Sequence, residues 1–249
     1  MQRIFCIANQ KGGVGKTTTA ITLADALARA GHRTLLVDLD PQCNATTGLS
    51  FTPGTSHPLV SGTALSESIV PTATPKLDLL PGSRSFRDIE ELTREDRPQS
   101  DRLQRHLTHG VAGYDFVLID CPPSLGQLTR TALACSTEVL MPIQCEFFAM
   151  EGLTQMIGVI REVMNSSDDV RLEFGGILLT MYDHTLELTG EVDGEVRDFF
   201  GEIVYETVIP RDVAVSEAPS HGTSVLDYAP RSRGARAYIE LCLEVLERV

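Results

Sequence analysis

The sequence predicts an α/β fold, a mostly parallel twisted sheet with helices on both faces. Three observations carry that prediction. Apolar runs of strand length alternate with segments of helical periodicity along the chain. Two of those runs, Arg33 to Asp40 and Tyr114 to Asp120, end in carboxylates, and buried parallel strands present ligand-binding groups at their C-terminal edge. Between the apolar run Arg3 to Ala8 and the helical Thr19 to Arg29 lies the glycine-rich stretch Lys11-Gly12-Gly13-Val14-Gly15-Lys16-Thr17-Thr18.

Each element follows from its local pattern. Arg3 to Ala8 reads as the first strand, and Arg33 to Asp40 is nearly continuous in apolar residues, as a strand buried on both faces requires. Residues 50 to 75 are rich in Ser, Thr, Gly and Pro, with one helical patch near Ala64 to Ile69, and read as a surface excursion. Leu77 to Pro81 is a short strand, and Arg84 to Arg105 is charged enough to read as a solvated helical face. After Tyr114 to Asp120 the pattern gives a helix at Leu125 to Ala134, a strand at Glu138 to Ile143 and a helix at Glu151 to Met164. It continues with a strand at Gly176 to Met181 and a helix at Val192 to Phe200. Val204 to Ile209 is expected to be the last strand, and Ala235 to Arg248 the closing helix. At 249 residues with 42% hydrophobic content, one domain spanning 1–249 is expected.

Composition excludes several classes. No stretch approaches eighteen uninterrupted apolar residues and no charged-then-apolar leader opens the chain, so a cytoplasmic, soluble protein is expected. Six scattered cysteines without a C-x-x-C pair read as buried thiols, and His106 and His109 as surface residues without a third ligand. A net charge of -13 gives no global field toward DNA or anionic lipid, so any such binding must be local. Of three lysines, Lys11, Lys16 and Lys76, two fall in the glycine-rich stretch.

That stretch has the chemistry of a phosphate loop. Its glycines let backbone amides turn inward, and the helix N-terminus behind them adds partial positive charge. Lys16 would reach the β- and γ-phosphates and Thr17 would supply a hydroxyl to Mg²⁺. The common G-x-x-x-x-G-K-[ST] pattern has glycine where Gln10 stands, and Lys11 adds a second ammonium. That ammonium either neutralises charge in cis or reaches the phosphate of a partner molecule. Asp120 would hold the metal through its water shell, and Asp40 would orient or activate the attacking water. Asp38 is open between supporting the metal shell and capping a nearby helix.

The whole chain resembles the ParA/Soj chromosome and plasmid partition ATPases of the deviant Walker A group of P-loop NTPases. Four ordered motifs carry the resemblance: the loop, Val37-Asp38-Leu39-Asp40-Pro41-Gln42, Leu118-Ile119-Asp120-Cys121-Pro122-Pro123-Ser124, and Ile209-Pro210-Arg211 with Ser216-Glu217-Ala218-Pro219-Ser220. It implies a Mg²⁺-dependent ATPase whose loop residues Lys11 to Thr18 hold ATP, with Pro210 and Asp212 at the base. It also implies an ATP-bound sandwich homodimer in which Lys11 crosses to the other protomer, Gly12 stays small where two loops meet, and Asp40 serves the attacking water. Hydrolysis would be stimulated by a ParB-like protein. The dimer would hold nonspecific DNA, giving a nucleoid association, through Arg211, Arg231, Arg233 and Arg236. Asp212 stands where the family often has asparagine, a change that keeps an oxygen to accept from the adenine amino group; Thr185 and Ala214 stand where it often has arginine, so weaker DNA binding is expected.

Three other readings differ in class. A MinD-like membrane-cycling ATPase wants a basic amphipathic tail, whereas Tyr238 to Arg248 carries acids on its polar face. A relative of the nitrogenase iron protein would need cysteines near the nucleotide face, for which Cys121 and Cys145 are the candidates. A scaffold that binds ATP without turning it over would release no phosphate beyond a single turnover.

Overall fold

The computed structural model describes residues 2–85, 105–166 and 170–248. Seven strands form one sheet: β1 (Arg3–Ile7), β2 (Thr34–Asp38), β3 (Val70–Pro71), β4 (Leu77–Leu80), β5 (Phe116–Asp120), β6 (Glu138–Gln144) and β7 (Glu173–Thr180). Their order is β3-β4-β2-β5-β1-β6-β7. Every neighbouring pair is parallel except β3 with β4. The register sets Ile7 opposite Asp120 and Asp120 opposite Asp38, so the chain that leaves β1 emerges beside two carboxylates.

Strand pleat divides the core. Phe5 and Ile7 of β1 face α1 (Lys16–Arg29) and the C-terminal helix, while Ile4, Cys6 and Ala8 face the opposite layer. α1 is buried along eleven of its fourteen residues because it lies between the sheet and that last helix, and the Thr19 and Tyr238 hydroxyls bond across the contact at 3.1 Å. The short α2 (Asn44–Gly48) follows β2. On the other face pack α3 (Gln127–Cys135), α4 (Ala149–Met164) and α5 (Glu187–Phe200), through Leu128, Leu153, Met156, Ile160, Val192 and Val196. α6 (Val213–Glu217) and α7 (Arg233–Glu247) close the chain, with α7 burying Ala235, Tyr238, Leu241 and Val245 in the α1 layer. The expected mostly parallel sheet with helices on both faces is therefore the one observed.

Three expectations need comment. The charged segment Arg84 to Arg105 lies almost wholly outside the described residues. The excursion at 50 to 75 hides β3, which is only two residues long and contains Pro71. The expected strand Val204 to Ile209 is a correction: it runs beside β7 but makes only isolated bridges, Ile177 to Val204 and Tyr182 to Pro210. The reason is a side chain. Glu244 of α7 accepts the amides of Glu206 at 2.8 Å and Thr207 at 3.0 Å, so between the Tyr205 and Ile209 amides, which bond to β7, the Thr207 donor that a ladder would use is removed.

Burial pushes the Glu244 carboxyl upward, but the Thr207 and Glu206 amides and Arg248 outweigh it and leave the group below its ordinary value. A depressed acid stabilises the fold above its ordinary range and loses that contribution as pH falls through the lowered value. Glu244→Gln is therefore expected to cost about 1.5–3 kcal/mol at neutral pH, as charged hydrogen bonds do. In urea titrations the difference from wild type should close as pH drops below the carboxylate range; a gap independent of pH would refute the ionic account.

Candidate nucleotide site

The loop after β1 has the backbone its sequence requires. Gly13 and Gly15 sit at φ +75° and +86°, where a side chain would strain the chain. Gly15 precedes α1 without any side-chain cap, so among the described residues the amides of the first helical turn have no side-chain acceptor and face the loop. From below, the Thr180 hydroxyl at the end of β7 lies 2.8 Å from the Val14 carbonyl and 2.9 Å from that of Ile143. Asn9 ties the loop to β6: its amide donates to the Pro142 carbonyl at 2.8 Å and its oxygen accepts from Lys11 N at 2.9 Å.

The two loop lysines differ in kind. Lys16 is buried, and its Nζ donates to the Lys11 carbonyl at 2.8 Å, inside the curl of the loop. Burial lowers its pKa, against the pull of Asp120 and Asp40. Lys11 is half exposed and forms an ion pair with Glu146. Thr17 and Thr18 follow Lys16 at the helix start, both partly buried.

Three carboxylates converge at the ends of β2 and β5. Asp120 is fully buried and, among the described residues, neither of its oxygens has a partner at hydrogen-bonding geometry. The Thr17 hydroxyl faces it and pulls its pKa down, but burial and the Asp38 charge outweigh that and hold Asp120 well above the ordinary carboxylate range. A buried, unpartnered acid is costly on its own, and beside a hydroxyl and an ammonium it has the donor set of a Mg²⁺ and phosphate site. Asp38 is engaged instead. Its Oδ2 accepts from the Thr46 amide at 2.8 Å and hydroxyl at 2.6 Å, its Oδ1 accepts from Asp40 N, and a Cβ on Gly82 would come within 2.8 Å of its Cγ. Of the two roles open for Asp38, anchoring α2 is the one visible in these bonds. Asp40 accepts from the Gln42 amide at 2.8 Å through Oδ1, which orients the carboxyl, and its Oδ2 has no donor among the described residues.

Residues 2–173 match a family model described as an AAA domain. The chain is 46% identical over 253 residues to the chromosome partitioning protein ParA of Caulobacter vibrioides, covering 99% of this chain and 94% of that protein. The chain belongs to the ParA/Soj family of partition ATPases. Identity to the sporulation initiation inhibitor protein Soj of Bacillus subtilis is 43%, over 98% of each chain. Among solved structures, cobyrinic acid a,c-diamide synthase of Mycobacterium smegmatis with bound ADP and magnesium superposes with a TM-score of 0.84. Its sequence is 33% identical, with 99% of this chain and 95% of that one covered.

The remaining residues expected from the ParA/Soj resemblance take the following places. Pro210 pairs with Tyr182 beyond the end of β7. Asp212 caps α6 through Ala214 N at 3.0 Å and takes Gly234 N at 2.9 Å, so both its oxygens already serve backbone amides. Arg211, Arg231, Arg233 and Arg236 are all exposed, and none forms an ion pair with a described residue. Arg233 reaches the Arg211 carbonyl at 3.4 Å, which joins the segment after β7 to the start of α7. All six cysteines are buried and none is in a disulfide, Cys121 lying 3.4 Å from Cys6 between their sulfurs. No described helix is long and apolar enough to cross a membrane.

Asn9, Glu146 and Thr180 were not singled out by the sequence. Each is a polar residue at or just beyond the C-terminal end of a parallel strand. That position is the signal that would have found them.

Proposed function

We propose that this ParA/Soj chain is a Mg²⁺-dependent ATPase that cycles between a free form and an ATP-bound sandwich dimer holding nonspecific DNA, with hydrolysis stimulated by a ParB-like partner. The observation that carries the reading is Asp120, a buried carboxylate whose oxygens have no partner at hydrogen-bonding geometry among the described residues, set beside Lys16 and Thr17 at the phosphate loop. Thr17 and Asp120 would hold the metal, which when bound neutralises charge on the phosphates. Lys16 moves from the Lys11 carbonyl to phosphate oxygens, and the first-turn amides of α1 complete the cradle. Asp40, held by Gln42, accepts a proton from or orients the attacking water through its free oxygen. Pro210 and Asp212 lie at the adenine side, Asp212 through oxygens it already shares with the Ala214 and Gly234 amides.

Lys11 supports the dimer. It is exposed on the loop, and Gly12 beside it meets nothing within its own protomer closer than the Pro123 Cβ at 3.9 Å. The fold of one protomer does not demand a glycine there; close approach of a second loop does.

The arginines support DNA binding because they form a local basic group that makes no ion pair with a described residue, on an otherwise acidic chain. The test uses Asp40→Ala, which traps the ATP state, with duplex DNA across a salt series. Binding in ATP and not ADP is expected, weakening as salt rises. Arg233→Ala with Arg236→Ala should flatten the slope of log affinity against log salt by roughly one per lost phosphate contact. An ATP dimer without DNA affinity at low salt would overturn the DNA part of this reading.

A further inference from the structure

We infer that Glu146 is a positioning residue for Lys11: it keeps the loop's outer ammonium on its own protomer until a triphosphate on a second copy draws it across. The inference rests on the proposed trans role of Lys11.

The geometry separates the parts of Lys11 that are fixed from the part that can change partners. Its amide is pinned to Asn9, which is itself bonded to the Pro142 carbonyl of β6. Glu146 sits in the tight turn that follows the same strand, its amide donating to the Gln144 carbonyl at 2.8 Å and its carbonyl accepting from Ala149 N at 2.8 Å. Loop and acid are thus carried on one rigid edge, and only the Lys11 side chain is free to swing. The pair is half exposed on both sides.

The third contact couples this ion pair to the nucleotide. The Lys11 carbonyl accepts from Lys16 Nζ. When Lys16 is taken by phosphate, that bond is given up and one restraint on Lys11 goes with it. Occupancy in cis therefore prepares Lys11 to leave. What it leaves for must compete with Glu146, and the terminal phosphate of a triphosphate supplies charge-assisted bonds that a diphosphate at the same place lacks. Exposed ion pairs are weak enough to be displaced in this way, about 0.2–1 kcal/mol each, or roughly 1.4- to 5-fold per lysine. A symmetric dimer releases two of them. The dimer dissociation constant should therefore carry the square of that factor.

Light scattering and sedimentation of the full chain in the Asp40→Ala background test this, with Glu146→Gln, Glu146→Asp and Lys11→Gln compared in ATP and in ADP. Glu146→Gln is expected to tighten the ATP dimer by about 2- to 25-fold. It should also raise the dimer fraction in ADP and leave fluorescent ATP-analogue binding to the monomer unchanged. Glu146→Asp should restore wild-type behaviour, and the Gln effect should shrink as salt screens the ion pair. An unchanged or weakened ATP dimer in Glu146→Gln, with Lys11→Gln unable to dimerise, would overturn the role of Glu146 alone. A Lys11→Gln protein that dimerises like wild type would instead overturn the trans role on which it rests.

Discussion

Asp40→Ala is expected to lower multiple-turnover phosphate release by about 10²–10⁴-fold, the usual contribution of a positioned acid–base group. Nucleotide affinity should stay near wild type, because no loop contact to phosphate passes through Asp40. The control is Asp40→Asn. An amide oxygen can still accept from the Gln42 amide, so the local turn that now uses Asp40 Oδ1 is preserved while the charge and basicity are lost. Equal losses in the two variants assign the effect to chemistry. A loss in Ala that Asn restores would reduce Asp40 to a turn-former and remove it from the mechanism.

Asp120→Asn should separate stability from function. The wild-type acid is buried with neither oxygen bonded, so replacing it by a neutral isostere is expected to leave the nucleotide-free protein as stable as wild type or more so. With Mg²⁺ and ATP the order should reverse. A ligand at about a hundred times its dissociation constant stabilises by about 2.7 kcal/mol. The wild type should show that rise in thermal unfolding, dependent on Mg²⁺ and abolished by EDTA, and the variant should show little of it. Turnover should fall by about 10²-fold or more, since the metal supplies several kcal/mol of charge stabilisation. A full Mg²⁺-dependent rise in Asp120→Asn would move the metal to another acid.

What the sequence made legible here has a physical pattern. β1, β2, β5 and β6 are buried on both faces, so their apolar runs are nearly unbroken, and those of β2 and β5 end where the carboxylates begin. The phosphate loop is a local structure, and its glycine spacing is a local signal. Val204 to Ile209 has the same apolar character, yet its hydrogen bonding is decided by Glu244, thirty-odd residues away on a helix surface. β3 was missed because two residues give no period to read. The contacts of Glu146 with Lys11, Asn9 with Pro142 and Thr180 with Val14 bridge sequence separations of more than a hundred residues in each case. No window of sequence contains both partners. Asp38 shows the intermediate case: its motif placed it at the sheet edge, but only the position of Thr46 reveals which of its two roles the bonds fulfil.

The Glu244 bonds have one more consequence, for what the molecule does at high local concentration. An open sheet has two rims, and a rim with a row of free amides recruits strands from neighbouring molecules into aggregates. Here one rim ends in β3, two residues long with a proline that has no amide to offer. Along the other, the segment from Val204 to Ile209 covers β7, and the amides of Glu206 and Thr207 are already taken by Glu244. Neither rim presents a template long enough for strand addition. Copies of this chain can therefore crowd together without their sheets fusing.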